Sequence, residues 1–118
     1  TPLNPIYKGA IPGGSTSGGA VSISLDISDI TIGTDTGGST RIPAAFTGIT
    51  GFKPTQDVIS RKGVLVLSSS LDSVGLMAKN VELCRLGFEV MKNKTNIKKT
   101  NLYEFIKRPL EQCSKQIV

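Results

Sequence analysis

Two short segments of this chain combine glycines with hydroxyl side chains, at residues 13–20 and residues 33–41. Each contains a Gly-Gly pair followed directly by a serine, and these serines, Ser15 and Ser39, are 24 residues apart. Glycine is entropically costly and is favoured where backbone takes positive φ or closely approaches another group. The pattern therefore predicts a site built from backbone N–H groups and serine oxygens, in which a serine attacks a carbonyl.

Ser39 has the surroundings that a serine nucleophile needs. Gly37 and Gly38 leave consecutive N–H groups free of side-chain obstruction, and a helix is predicted to begin just after Ser39. Unpaired N–H groups at a helix start can stabilise the oxyanion of an attacked carbonyl. Serine also needs a base. Because the chain has no histidine, the proton must leave through another hydroxyl or a lysine, and Ser15 is the candidate relay.

Other interpretations of these loops stay open. Gly/Ser-rich turns commonly join strands without doing chemistry. A phosphate-binding loop would need the pattern GxxxxGK[ST], which is absent because no lysine follows either glycine run. Asp35-Thr36-Gly37 matches the triplet of retroviral-type aspartic proteases, but its flanking residues, Gly33-Thr34 and Gly38, do not fit that pattern.

The elements predicted around these loops alternate between strands and helices. Strands are predicted at residues 30–33, 48–52, 64–67 and 73–78, and helices at residues 41–46 and from an Asn80 cap to about Met91, with a further turn at residues 101–110. Strands interleaved with helices indicate an α/β fold.

Two earlier segments are less regular. Residues 1–12 are interrupted by prolines and are expected to form an extended loop. Residues 21–27 alternate apolar and polar side chains, which favours a strand by period alone. The Ser/Gly start of that segment would equally suit a capped helix, so both interpretations stay open.

The net charge of +5 belongs to the C-terminal tail. Residues 1–91 hold seven Lys/Arg and seven Asp/Glu, which cancel. Residues 92–118 hold seven Lys/Arg and two Asp/Glu. We therefore divide the chain into a globular core at residues 1–91 and a basic tail of unknown role at residues 92–118. The tail has no interleaved aromatics beyond Tyr103 and Phe105, which favours a solvated segment over a nucleic-acid-binding module.

The two cysteines, Cys84 and Cys113, do not form a CxxC pair. This usage favours a reducing compartment and hence a cytoplasmic location, with Cys84 packed in the core. The lack of histidine and of paired cysteines excludes a zinc site and a histidine-dependent triad within this chain. No apolar run reaches membrane-spanning length, and no signal peptide is visible.

Three motifs agree in order and spacing with the amidase signature family. They are Gly13–Ala20, Gly33–Ala45 and Gly48–Thr55, and the segment Ser69–Gly75 fits the region that follows the signature. Residues 2–91 therefore resemble this family. The resemblance implies an α/β fold, the mixed-sheet core of the amidase signature fold, in incomplete form.

The resemblance further implies an amide hydrolase with a serine, cis-serine and lysine triad. Ser39 matches the nucleophile, and Ser15 matches the relay serine, whose preceding peptide bond is cis in the family. The backbone N–H groups that match the oxyanion hole belong to Thr36, Gly37, Gly38 and Ser39. The residues that match supporting positions are Asp35, Arg41 and Ser17. Water would hydrolyse the acyl-enzyme, with no metal and no organic cofactor.

Two departures from the family pattern stand out. Thr16 stands where the family usually has a second serine, and the threonine keeps a hydroxyl at that position. The family's catalytic lysine lies upstream of the position that matches Thr1, so the resemblance implies that the base belongs to a remainder of the amidase core. The expected partners are therefore a small amide substrate of unspecified class and that remainder. A catalytically silent fragment is the alternative.

Overall fold

The structure is a computed structural model that describes residues 2–92. Its elements follow the order α1 (Ser17–Ser24), β1 (Ile30–Asp35), α2 (Arg41–Phe46), β2 (Thr50–Phe52), β3 (Ser73–Ala78) and α3 (Val81–Met91). The three strands form one sheet in the order β1-β3-β2, and both pairings are antiparallel. The α/β class is therefore confirmed. The parallel pairings that a mixed sheet also contains do not occur among the described strands.

Strand β3 lies at the centre of the sheet and is buried along its whole length. Val74 and Leu76 pack in a cluster that α3 covers, whereas Met77 packs against α1 and α2. Successive side chains of a strand point to opposite faces, so β3 binds helices on both sides of the sheet. This packing holds the ends of β1, α1 and α2, which flank the glycine loops.

Helix α1 occupies the segment for which strand and helix were both open. It buries Ala20, Val21 and Ile23, of which Ala20 and Ile23 are neighbours on the helix surface because they are three residues apart. Leu25 and Ile27, which a strand would place on the same buried face as Ile23, are 53% and 73% exposed. The strand interpretation is therefore wrong, and the helix alternative is confirmed.

Residues 64–67 form no strand, although their apolar run predicted one. Leu65 and Leu67 are 95% and 83% exposed. The N–H groups of Leu67 and Ser68 donate to the Asp72 carboxylate at 2.8 and 2.9 Å instead of joining a ladder. A loop closed on Asp72 thus replaces the predicted strand.

The other elements predicted within residues 2–92 are confirmed. The predicted strands at residues 30–33, 48–52 and 73–78 correspond to β1, β2 and β3, and the predicted helix at residues 41–46 is α2. Cys84 is buried, and burial raises the pKa of its thiol. The predicted turn at residues 101–110, Cys113 and the basic tail after Lys92 lie outside the described residues. Between residues 2 and 92, each helix is too short or too polar to cross a membrane.

Asn80 caps α3 as predicted, because its side chain accepts a hydrogen bond from the N–H of Leu83 at 3.0 Å. We expect Asn80→Ala to lower the free energy of unfolding by about 1 kcal/mol, the usual cost of losing such a cap. Chemical denaturation measures this loss. Asn80→Asp keeps an acceptor and should change the free energy by less than about 0.5 kcal/mol. Equal losses in both variants would contradict the capping role.

Candidate active site

A backbone hydrogen bond joins the two glycine loops. The N–H of Thr16 donates to the carbonyl oxygen of Ser39 at 3.1 Å. Each loop leads into a helix, since α1 begins at Ser17 and α2 begins at Arg41. Two segments that are distant in sequence therefore become neighbours in space, and Ser15 lies next to the residue that makes this contact.

Two glycines permit the close approach of the loops. A Cβ on Gly33 would lie 2.7 Å from Thr16 Oγ1, and one on Gly13 would lie 3.0 Å from the Cα of Pro43. Gly13 also has a φ of +77°, a conformation that favours glycine. The first glycine loop consequently packs against β1 and α2 with no room for a side chain at either position.

The two candidate serines differ in exposure. Ser15 is exposed, whereas Ser39 is half-buried. The peptide bond between Gly14 and Ser15 is cis. Within residues 2–92 the two hydroxyls do not hydrogen-bond to each other, and backbone atoms make the contact between the loops. Ser17, the further serine of the first glycine loop, is the half-buried first residue of α1.

The Asp35 carboxylate organises the loop around Ser39. It is fully buried and accepts six hydrogen bonds from residues that follow it closely in sequence. The N–H of Gly38 and the hydroxyl of Thr40 both donate at 2.8 Å. Arg41 donates through its backbone N–H and through Nε and Nη2. Because the donors lie on both sides of Ser39, the carboxylate fixes the backbone before and after that residue.

Asp35 and Arg41 also form an ion pair at 3.0 Å, in which the arginine side chain is 50% exposed. Burial raises the pKa of Asp35, but hydrogen bonds from Arg41 and Thr40 outweigh burial and hold that pKa well below its usual range. The pairing raises the pKa of Arg41. Asp35 is therefore a charged acceptor at neutral pH. An aspartic protease instead shares a proton between two aspartates, which is incompatible with this environment.

The backbone N–H groups around Ser39 differ in availability. The N–H of Gly38 is occupied by Asp35. The N–H groups of Gly37 and Ser39 make no hydrogen bond with other residues in the 2–92 range. A Cβ on Gly37 would meet no atom within 4 Å, so the backbone there is open to an approaching molecule. Gly37 and Ser39 are hence the best-placed donors for an oxyanion.

One residue of this region, Asp72, was not predicted to belong to the site. Asp72 is 4% exposed, and its carboxylate accepts a hydrogen bond from the hydroxyl of Thr36. That hydroxyl and the N–H of Ser68 lower the pKa of Asp72. The register between β1 and β3 is the feature that would identify Asp72 as a residue of this region. β1 and β3 pair Asp35 with Ser73, so the next position along sets Thr36 opposite Asp72.

Lysines in the described part of the chain contact other groups. Lys53 Nζ donates to Ser73 Oγ at 3.3 Å, and Lys79 pairs with Asp26 at 2.6 Å. Among residues 2–92 no lysine side chain hydrogen-bonds to Ser15. A serine centre that uses a lysine base therefore needs that lysine from elsewhere.

Comparison with known proteins assigns this arrangement to a family. A family model described as Amidase matches residues 1–117. The chain belongs to the Amidase family. The resemblance that the glycine loops and the segment around Asp72 predicted is thereby confirmed.

Relatives of this Amidase-family chain include several longer proteins. The glutamyl-tRNA(Gln) amidotransferase A-subunit of Pelagibacter ubique is 50% identical over 88 residues, which cover 75% of this chain and 18% of that protein. The mitochondrial protein of the same name from Eremothecium gossypii is 46% identical over 91 residues, with coverages of 75% and 20%. Outer envelope protein 64, mitochondrial, of Arabidopsis thaliana is 45% identical over 92 residues, with coverages of 77% and 15%. The chain thus spans about a fifth of the length of these relatives.

Solved structures of longer proteins contain the fold of this chain. An amidase family protein from Bacillus anthracis superposes with a TM-score of 0.67 at 34% identity, covering 70% of this chain and 16% of that one. The structure of 6-aminohexanoate cyclic dimer hydrolase complexed with substrate gives a TM-score of 0.62 at 32% identity, with coverages of 70% and 18%. The described elements therefore form part of the amidase fold.

Proposed function

We propose that this Amidase-family chain carries the serine centre of an amide hydrolase, in which Ser39 attacks a carboxamide and Ser15 relays the proton. The observation that carries the proposal is the backbone hydrogen bond from Thr16 to Ser39, which brings the two serine loops together at 3.1 Å. Family membership supports amide hydrolysis in general. The local geometry supports the assignment of these two serines.

The proposed reaction has two stages. Ser39 Oγ bonds to the carbonyl carbon while its proton passes to Ser15, and the C–N bond then breaks as the leaving amine takes up a proton. Water next attacks the acyl-enzyme, releases the carboxylic acid and restores Ser39. The N–H groups of Gly37 and Ser39 stabilise the oxyanion, and a donor of this kind contributes about 3 kcal/mol. Thr36 completes the proposed oxyanion hole, and Gly38 supports it, because the N–H of Gly38 donates to Asp35 and fixes the loop.

A base must accept the proton that Ser15 relays. Within residues 2–92 no lysine side chain hydrogen-bonds to Ser15, and Lys53 donates to Ser73 instead. We therefore assign the base to a lysine outside the described residues, in a remainder of the amidase core that acts as the partner of this segment. Ser17 and Arg41 support the two loops in this scheme, and we propose a cytoplasmic location.

The proposed substrate is a small-molecule carboxamide. Its candidates are aliphatic amides, aryl or indole acetamides, fatty amides and glutamine as an ammonia donor. The names of similar proteins include both an amidotransferase and a cyclic dimer hydrolase, which supports keeping this range. The proposed reaction uses no metal or organic cofactor, because the serines, water, the backbone donors and the lysine base supply each step.

The second candidate is a catalytically silent amidase segment. The observation that favours it is that no lysine within residues 2–92 hydrogen-bonds to Ser15, since Lys53 and Lys79 bind other groups. Loss of general base catalysis costs about 100-fold to 10,000-fold in rate. A chain with intact serine loops and no base would bind an amide without hydrolysing it at a useful rate.

Ammonia release from one amide of each candidate class, measured on the chain together with the remainder of the amidase core that supplies the base, tests the proposal. We expect release from at least one amide, loss of release in Ser39→Ala, and no effect of pepstatin. Ser70→Ala changes an exposed serine and serves as a matched control, which should release ammonia at the wild-type rate. Release that persists in Ser39→Ala would refute the serine assignment, and release from no amide would favour the silent alternative.

A further inference from the structure

We propose that Asp72 is a positioning residue for the oxyanion donors, which it holds in place through the side chain of Thr36. The inference rests on the proposed function, because it assigns Asp72 a role in the same serine centre. Asp72 touches none of the reacting atoms in this scheme. It acts on the backbone that presents the N–H groups next to Ser39.

Strand register sets Thr36 against Asp72. The last paired residues of β1 and β3 are Asp35 and Ser73, so Thr36 and Asp72 stand opposite each other one position beyond the ladder. The Thr36 hydroxyl donates to Asp72 Oδ1 there. Asp72 is only 4% exposed, which protects this contact from competition by water.

The second carboxylate oxygen of Asp72 binds a different loop. Its Oδ2 accepts the N–H groups of Leu67 and Ser68 at 2.8 and 2.9 Å. The same loop lines an open cavity of about 310 Å³, with Val64 and Leu65 on its wall. Asp72 therefore links the loop of this cavity directly to the residue that begins the proposed oxyanion hole.

Asp35 and Asp72 hold opposite ends of the glycine loop. Asp35 binds Gly38 and the residues after Ser39, whereas Asp72 binds Thr36. Gly37 lies between these anchors, and a Cβ there would touch nothing within 4 Å. Because side-chain packing does not fix Gly37, the direction of its N–H depends on the two anchors. Loss of the hydrogen bond between Thr36 and Asp72 should therefore turn the Gly37 N–H away from the oxyanion, which it can stabilise only at hydrogen-bond distance.

Three variants of the 118-residue chain separate the positioning contact from general stability. Asp72→Asn replaces the carboxylate with a neutral amide that has one acceptor oxygen, Thr36→Val removes the hydroxyl but keeps the shape, and Thr36→Ser keeps the hydroxyl. We expect the first two to slow the maximal rate of fluorophosphonate reaction at Ser39 by about 10-fold to 100-fold, with little change in the half-saturating probe concentration. Thr36→Ser should react at nearly the wild-type rate, and the double variant of Asp72→Asn with Thr36→Val should be no slower than the slower single variant.

A second measurement follows the backbone itself and does not depend on reaction at Ser39. In the wild-type chain, NMR should give the Gly37 N–H an order parameter near about 0.85, falling below about 0.6 in Asp72→Asn and Thr36→Val. Asp57→Asn is the matched control, because it changes an exposed aspartate of the neighbouring loop that pairs with Arg61. It should leave the Gly37 order parameter unchanged.

The two measurements distinguish the two proposals. An unchanged Gly37 order parameter in both Asp72→Asn and Thr36→Val would overturn the positioning inference, whatever the probe does. If Gly37 becomes mobile in those variants, the result supports the anchoring by Asp72. If the probe reaction also persists in Ser39→Ala, that second result refutes the proposed function. Slower reaction in Thr36→Ser equal to that in Thr36→Val would also contradict the inference.

Discussion

Replacement of Ser39 by alanine is expected to slow reaction with a fluorophosphonate probe by at least about 1,000-fold. The probe reacts with an activated serine oxygen, and Ser39 is the serine that stands among the open N–H groups of the glycine loop. Ser15→Ala should slow the reaction by about 100-fold or more, because it removes the proposed relay but keeps the nucleophile. Time courses of intact mass measure both rates.

Position, and not the mere presence of a hydroxyl, should decide reactivity. Ser70 is exposed and lies outside the glycine loops, so Ser70→Ala should react at the wild-type rate. Ser39→Thr, which keeps a hydroxyl but adds a methyl group beside the loop, should react more slowly than wild type. Equal rates in wild type and Ser39→Ala would remove Ser39 from its proposed role.

Replacement of Asp35 by asparagine is expected to lower the free energy of unfolding by about 3 kcal/mol. The change removes the charge that six hydrogen bonds surround, and it turns an NH₂ group towards donors of Thr40 and Arg41. The exposed aspartate Asp26 also forms an ion pair, with Lys79. Asp26→Asn should cost less than about 1 kcal/mol, because exposed pairs contribute little. Chemical denaturation that gives similar losses for both variants would contradict the structural role of Asp35.

The pKa of Asp35 predicts how this stability depends on pH. The carboxylate has a pKa held well below its usual range in the folded chain, against about 3.9 when unfolded. Its stabilisation is therefore complete above that unfolded value and is lost as pH falls below it towards the folded pKa. Asp72 acts in the same direction. Asp35→Asn should accordingly lose less stability than wild type between about pH 4 and pH 2, as measured by denaturation at each pH.

Local sequence signals predicted the elements that flank the site. Asn80 marks the start of α3 because the capping side chain and the N–H that donates to it lie within a few residues of each other. The helix that follows Ser39 and the strand that ends at Asp35 were also predictable, since short-range chemistry defines them. The glycine loops themselves indicated a serine site before any contact between them was known.

Long-range packing decided the elements that the sequence did not predict. Val21 and Ile23 alternate as in a strand, yet α1 forms because burial against β3 overrides the local period. Residues 64–67 are apolar, yet their backbone turns back to Asp72. The pairing of Thr36 with Asp72 depends on the register between β1 and β3, which no single segment of the sequence contains.

A crystal structure of the chain after fluorophosphonate treatment tests whether Ser39 is the nucleophile of this site. We expect phosphorus bonded to Ser39 Oγ, a phosphonyl oxygen about 3 Å from the N–H groups of Gly37 and Ser39, and the Ser15 hydroxyl next to the adduct. An adduct on another residue, or Ser15 and Ser39 in separate regions of the molecule, would contradict it.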